Sequence, residues 1–126
     1  MNEETILIIE DSRANMKLMS LILEKSGYRV LKAETARDGI ALARSSLPSL
    51  ILMDIQLPGM SGLEATQILK ADSATQSIPI IAVTALAMNG DEERIRDAGC
   101  DGYLTKPIQY QHLLAYVQKI LNHEEE

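Results

Sequence analysis

The chain has no tryptophan, no phenylalanine and one cysteine, Cys100. A lone cysteine excludes an internal disulfide, and its expected place is a small buried or half-buried position. Basic residues are in deficit, with 12 Lys and Arg against 18 Asp and Glu, a formal charge of −6. That balance speaks against a bare nucleic-acid binder and against an anionic membrane surface. Long hydrophobic runs are missing too: Lys, Arg, Asp or Glu interrupts every apolar stretch before it could span a bilayer. The opening residues MNEETILIIED carry no basic segment and no cleavage site, so no secretory signal is expected. There is no low-complexity linker and no internal repeat. The expectation is a soluble cytoplasmic protein with one domain over residues 1–121 and a polar tail over 122–126.

What is present is an alternation. Apolar, β-branched runs predict strands at about 5–10, 29–32, 50–53, 80–83 and 102–104. Amphipathic stretches between and after them predict helices at about 13–26, 36–45, 62–71, 91–98 and 109–121. Thr35 is a plausible N-cap, Ser61 with Glu64 forms a capping box, and Asn89 or Gly90 is the expected cap of the fourth helix. Gly27 and Gly99 are expected helix stops. Strand–helix alternation implies a parallel sheet covered by helices on both faces. Acid-bearing loops after the first and third strands fit neighbouring strands with a crevice between them. Periodicity does not give the strand order.

Chemistry gathers at the strand ends. Asp11, Asp54, Thr84 and Lys106 each follow an apolar run, and Glu10 precedes Asp11. The carboxyl ends of parallel strands lie on one edge of the sheet, where open α/β folds place their sites. Like charges about 4 Å apart repel by roughly 4 kcal/mol at an effective dielectric near 20, so three clustered acids call for a cation. Glu10, Asp11 and Asp54 suit Mg²⁺, which takes few carboxylates and keeps waters and phosphate oxygens. Asp54 is the candidate nucleophile for a phosphoryl group. Lys106 is placed to neutralise one phosphoryl oxygen and Thr84 to donate to another. Ala85 is small enough to leave the pocket open. The Lys106-Pro107 bond admits a cis form that would aim the lysine over the pocket, but local energetics favour trans.

Together the blocks IIEDS, LILMDIQLPGMSGLE, IIAVTA and GYLTKPI resemble the receiver domain of two-component response regulators, over essentially the whole chain. The stretches MDIQLPGMSGLE and AVTALAMNGDEERIRDAGCDGYLTKPI are especially similar to DivK-like single-domain regulators, and hybrid histidine kinases carry similar receivers. The resemblance implies a flavodoxin-like (βα)5 fold, a doubly wound five-stranded parallel sheet of order 2-1-3-4-5. It implies that Asp54 accepts phosphate from the phosphohistidine of a histidine kinase or phosphotransfer protein. Mg²⁺ would be held by Glu10, Asp11, Asp54 and the backbone carbonyl of Gln56. Thr84 and Lys106 would sense the phosphoryl group, Lys106-Pro107 would be cis, and Tyr103 would be the switch aromatic.

The same resemblance implies an output surface on the fourth helix, fifth strand and fifth helix, including Glu92, Arg96 and Tyr103. A downstream protein, or a weak homodimer partner, would bind there; otherwise the chain is a monomer. Kinase docking would use the first helix and the loop at Pro107-Ile108. Gln56 and Leu86 would tune the phosphate lifetime, with slow self-dephosphorylation expected. Such a domain is a switch and not an enzyme acting on separate substrates.

Three other readings fit less well. A flavin electron carrier needs a Ser/Thr/Gly-rich loop where EDSRAN stands, and aromatic rings to stack on the flavin. A haloacid-dehalogenase-type phosphatase wants a second Asp where Gln56 stands. A pseudo-receiver, a binding module without phosphorylation, would not need all five positions that are present here.

Overall fold

A computed structural model describes residues 4–85 and 91–122. Leu86, the expected cap at Asn89 or Gly90 and most of the polar tail lie outside the described residues. Strands β1 (Thr5–Ile9), β2 (Arg29–Ala33), β3 (Leu50–Asp54), β4 (Ile80–Thr84) and β5 (Gly102–Thr105) alternate with five helices. These are α1 (Arg13–Lys25), α2 (Ala36–Ser46), α3 (Gly62–Ala71), α4 (Asp91–Ala98) and α5 (Tyr110–Asn122). The sheet is parallel throughout, in the order β2-β1-β3-β4-β5. That is the order the resemblance implied.

The reason these segments are strands is visible in their burial. Every residue of β3 and β4 is buried, as a central parallel strand with helices on both faces requires. The edge strands β2 and β5 are only partly covered. Alternation along the strands splits the core in two. Leu7, Ile9, Ile51, Met53 and Ile80 face Ile40, Ala43, Ala65 and Leu69 of α2 and α3. Ile6, Ile8, Leu50, Leu52, Ile81 and Val83 face Met16, Met19 and Leu23 of α1 and Leu113 and Val117 of α5. No helix among the described residues is long and apolar enough to cross a membrane.

Local signals hold the ends. Thr35 caps α2 by accepting from the Asp38 N–H, and the Ser61–Glu64 capping box is fully formed. Gly27 (φ 98°) ends α1: its N–H donates to Glu24 O and that of Tyr28 to Leu23 O, the 5→2 and 6→1 pair of a Schellman turn. Gly99 (φ 110°) ends α4 the same way. The expected strand ends need small corrections. Glu10 stands one residue past β1, though its N–H still donates to Ala33 O at 3.0 Å. Asp54 and Thr84 are instead the last residues of β3 and β4.

Candidate functional site

The parallel register brings the carboxyl ends of β1, β3, β4 and β5 to one edge. Ile9 pairs with Met53, Asp54 with Val83, and Thr84 with Thr105. Glu10, Asp11, Asp54 and Lys106 come together there, with Thr84 at the end of the neighbouring strand β4. Glu10, Asp54 and Thr84 are buried at 1%, 2% and 1% exposure, whereas Asp11 is exposed. A carboxylate oxygen from each of Glu10, Asp11 and Asp54 lies within 4.8 Å of the others. Lys106 Nζ stands 3.3 Å from Asp54 Oδ2 and 3.4 Å from Glu10. The backbone from Lys106 is tied to β4, its N–H donating to Thr84 O at 2.8 Å. Its bond to Pro107 is cis, as the resemblance implied and against the trans preference of local energetics.

Two main-chain donors orient the acids. The Ser12 N–H donates to Glu10 Oε2 at 3.1 Å, and the Gln56 N–H to Asp54 Oδ1 at 3.0 Å. Ser12 was not among the expected site residues. It is the N-cap of α1, accepting from the Asn15 N–H, so one serine both starts the helix and holds Glu10. A serine just after an acid pair and before a helical stretch is the signal that could have marked it. Ala85 is exposed beside Thr84, and Pro107 is exposed beyond the lysine. Tyr103 is not part of the acid cluster. It is half-buried on β5, and its hydroxyl donates to the Glu92 carboxylate on α4. That hydrogen bond holds the phenol above its ordinary range.

The acid cluster fits a hard divalent cation. Three carboxylates face one ammonium, so when all are ionised the site carries excess negative charge. Glu10 Oε1 is buried with no hydrogen-bond partner, although Lys106 lies 3.4 Å away. An orphaned buried carboxylate oxygen is costly unless something else satisfies it. Burial pushes the Glu10 carboxyl up; the Ser12 N–H opposes this, and the Asp54 charge adds to the rise.

A raised carboxyl favours the neutral form in the fold. Its stabilising effect is present at low pH and lost as pH rises from the ordinary value through the raised one. A bound cation acts in the opposite sense, because it needs the ionised carboxylate. If the cluster holds Mg²⁺, the rise in melting temperature given by about 10 mM Mg²⁺ is therefore expected to grow as pH climbs above the ordinary carboxylate range. Glu10→Gln should flatten that growth in scanning calorimetry at each pH. A pH-independent Mg²⁺ shift in the wild type would refute the linkage.

The comparisons with known proteins agree with this geometry. The family model of the response regulator receiver domain matches residues 6–118. The polar-differentiation response regulator DivK of Brucella ovis is 47% identical over 118 residues, covering 94% of this chain and 96% of that protein. The DivK of Brucella abortus (strain 2308) matches equally. Among solved structures, the receiver domain of a sensor histidine kinase from Pseudomonas aeruginosa PAO1 superposes with a TM-score of 0.89 at 32% identity, over 96% of this chain and 99% of that one. That structure holds a magnesium ion in its active-site cleft. A CheY-like receiver domain protein from Methanospirillum hungatei JF-1 gives a TM-score of 0.89 at 33% identity, covering 98% of both chains. Sheet order, the acid edge and these matches converge on one assignment: the chain belongs to the response regulator receiver domain family of two-component signalling.

Proposed function

We propose that Asp54 is the phosphoacceptor of this receiver and that Mg²⁺ bound by Glu10, Asp11, Asp54 and the Gln56 carbonyl is required. The observation that carries this is a buried aspartate at 3.3 Å from an ammonium, inside a three-carboxylate cluster. An Asp54 oxygen attacks the phosphorus of a phosphohistidine on a histidine kinase or phosphotransfer protein. The new O–P bond forms as the N–P bond breaks, and the imidazole leaves with the bonding pair and takes up a proton. Mg²⁺ supplies charge neutralisation at the phosphoryl oxygens. Lys106 pairs with one of those oxygens and Thr84 donates to another.

The product carries roughly −1.5 to −2 added charge at Asp54. Thr84 follows the phosphoryl group, and Tyr103 leaves Glu92 for the space Thr84 vacates. The packing of α4, β5 and α5 then shifts between two populations, and a downstream protein reads the difference. On this reading the chain is a cytoplasmic switch and catalyses only its own phosphotransfer and slow dephosphorylation. It acts as a monomer or as a weak homodimer through the face containing Glu92, Arg96 and Tyr103.

Intact mass after incubation with acetyl phosphate and Mg²⁺ tests the reading. One phosphoryl group is expected on the wild type, and none on Asp54→Asn or in EDTA. An unlabelled wild type, under conditions that label another receiver, would leave a pseudo-receiver that binds partners without phosphorylation.

A further inference from the structure

Gly62 opens α3, eight residues beyond Asp54 in the chain, yet its backbone touches the phosphoacceptor. A Cβ placed on Gly62 would lie 2.2 Å from the Asp54 carbonyl oxygen, 2.8 Å from Ile55 Cα and 2.9 Å from the Asp54 carbonyl carbon. All three neighbours are main-chain atoms and cannot swing aside as a side-chain end can. The Gly62 N–H also donates to Ile55 O at 3.0 Å. On its other side, Ile55 donates to Val83 O at 3.1 Å. The turn that leaves Asp54 is thus held between β4 and the first turn of α3. Its next residue, Gln56, sends its N–H to Asp54 Oδ1 at 3.0 Å.

That first turn is itself fixed. The Ser61–Glu64 box closes it from the front, and the buried Thr66 hydroxyl donates to Gly62 O at 2.9 Å. Gly62 has no need of a left-handed backbone, so conformational freedom is not what the position asks for. It asks for closeness.

We infer that Gly62 is a positioning residue for the acceptor. Its missing side chain lets α3 seat on the Asp54–Ile55 backbone, and so aims the Asp54 carboxylate and the Gln56 main chain at the cation cluster. The inference rests on Asp54 being the phosphoacceptor. In Gly62→Ala the helix must lift or the strand end must move, and either displaces the nucleophile. Displacements on the order of 1 Å can cost a reaction about 100-fold.

The test compares Gly62→Ala with Leu69→Ala, a cavity variant on the buried face of the same helix. Both are measured at low temperature, with the folded fraction fixed by circular dichroism. Per folded molecule, Gly62→Ala is expected to lose about tenfold or more in the rate of labelling by acetyl phosphate. It should also need several-fold more Mg²⁺ for half of the maximal melting shift. Leu69→Ala should change neither by more than about twofold, since its side chain touches no reacting group. Wild-type kinetics in Gly62→Ala, or an equal loss in Leu69→Ala, would overturn the inference. An unlabelled wild type would instead overturn the phosphoacceptor reading. Should Gly62→Ala fail to fold, amide hydrogen exchange in the wild type decides: Mg²⁺ must slow exchange at Gly62, because coupling between two sites is reciprocal. No change there would also defeat the inference.

Discussion

Lys106→Met is expected to destabilise the metal-free protein by about 3 kcal/mol, the cost of leaving a buried carboxylate without its partner. The lysine reaches two acids at once, Asp54 at 3.3 Å and Glu10 at 3.4 Å. Its side chain is 19% exposed, while those of Asp54 and Glu10 are 2% and 0% exposed. Solvent therefore screens the pair weakly. Methionine keeps the apolar stem and removes the charge, so packing loss stays small.

The deficit should depend on both metal and pH. Mg²⁺ replaces the missing positive charge, so saturating metal is expected to recover most of the lost stability. In EDTA the deficit should deepen as pH rises toward 7. Burial already pushes the Glu10 carboxyl up, and without the ammonium the neutral form is favoured further. Urea unfolding with EDTA and with Mg²⁺, at two pH values, checks both. Equal stability of variant and wild type in EDTA at neutral pH would show that the lysine does not neutralise the cluster. If Lys106 pairs with the phosphoryl group as proposed, labelling by acetyl phosphate should also slow by on the order of 10- to 100-fold at saturating Mg²⁺.

Much of this site was legible because parallel strands write plainly. A β-branched run ending in Asp, Thr or Lys marks both a strand and the edge at which it stops. Asp11, Asp54, Thr84 and Lys106 were found that way, and the structure brings them to one edge. The ends themselves were off by a residue, because a polar side chain can stay in the hydrogen-bonded ladder. Asp54 and Thr84 do so.

The order β2-β1-β3-β4-β5 was not in the periodicity. Crossover geometry decides which strands pair, and only the family resemblance supplied it. The cis Lys106-Pro107 bond likewise came from the resemblance alone, because local preference favours trans. Ser12 and Gly62 went unread for a shared reason. One acts through its N–H and the other through a missing side chain, and neither leaves a reactive group in the sequence.

Ile51→Ala is expected to cost about 4 kcal/mol, near the upper part of the range for large-to-small changes in a core that cannot collapse. Ile51 is fully buried in the central strand. It lies between Leu7 of β1 and Ile80 of β4, under the α2–α3 layer. Neighbours on two strands and two helices leave little freedom to fill the void. Leu18→Ala, at a side chain 41% exposed on α1, should stay within about 0.5 kcal/mol.

Alternation makes the core change informative about chemistry as well. Leu50 and Leu52 share the face of Asp54, whereas Ile51 points to the opposite one. Ile51→Ala should therefore lower the urea midpoint sharply and leave labelling per folded molecule near the wild-type rate. A large loss of labelling in the folded variant would mean that the α2–α3 face holds the Asp54 carboxylate in place. The acid edge would then depend on the whole sheet, and not on the strand ends and the first turn of α3 alone.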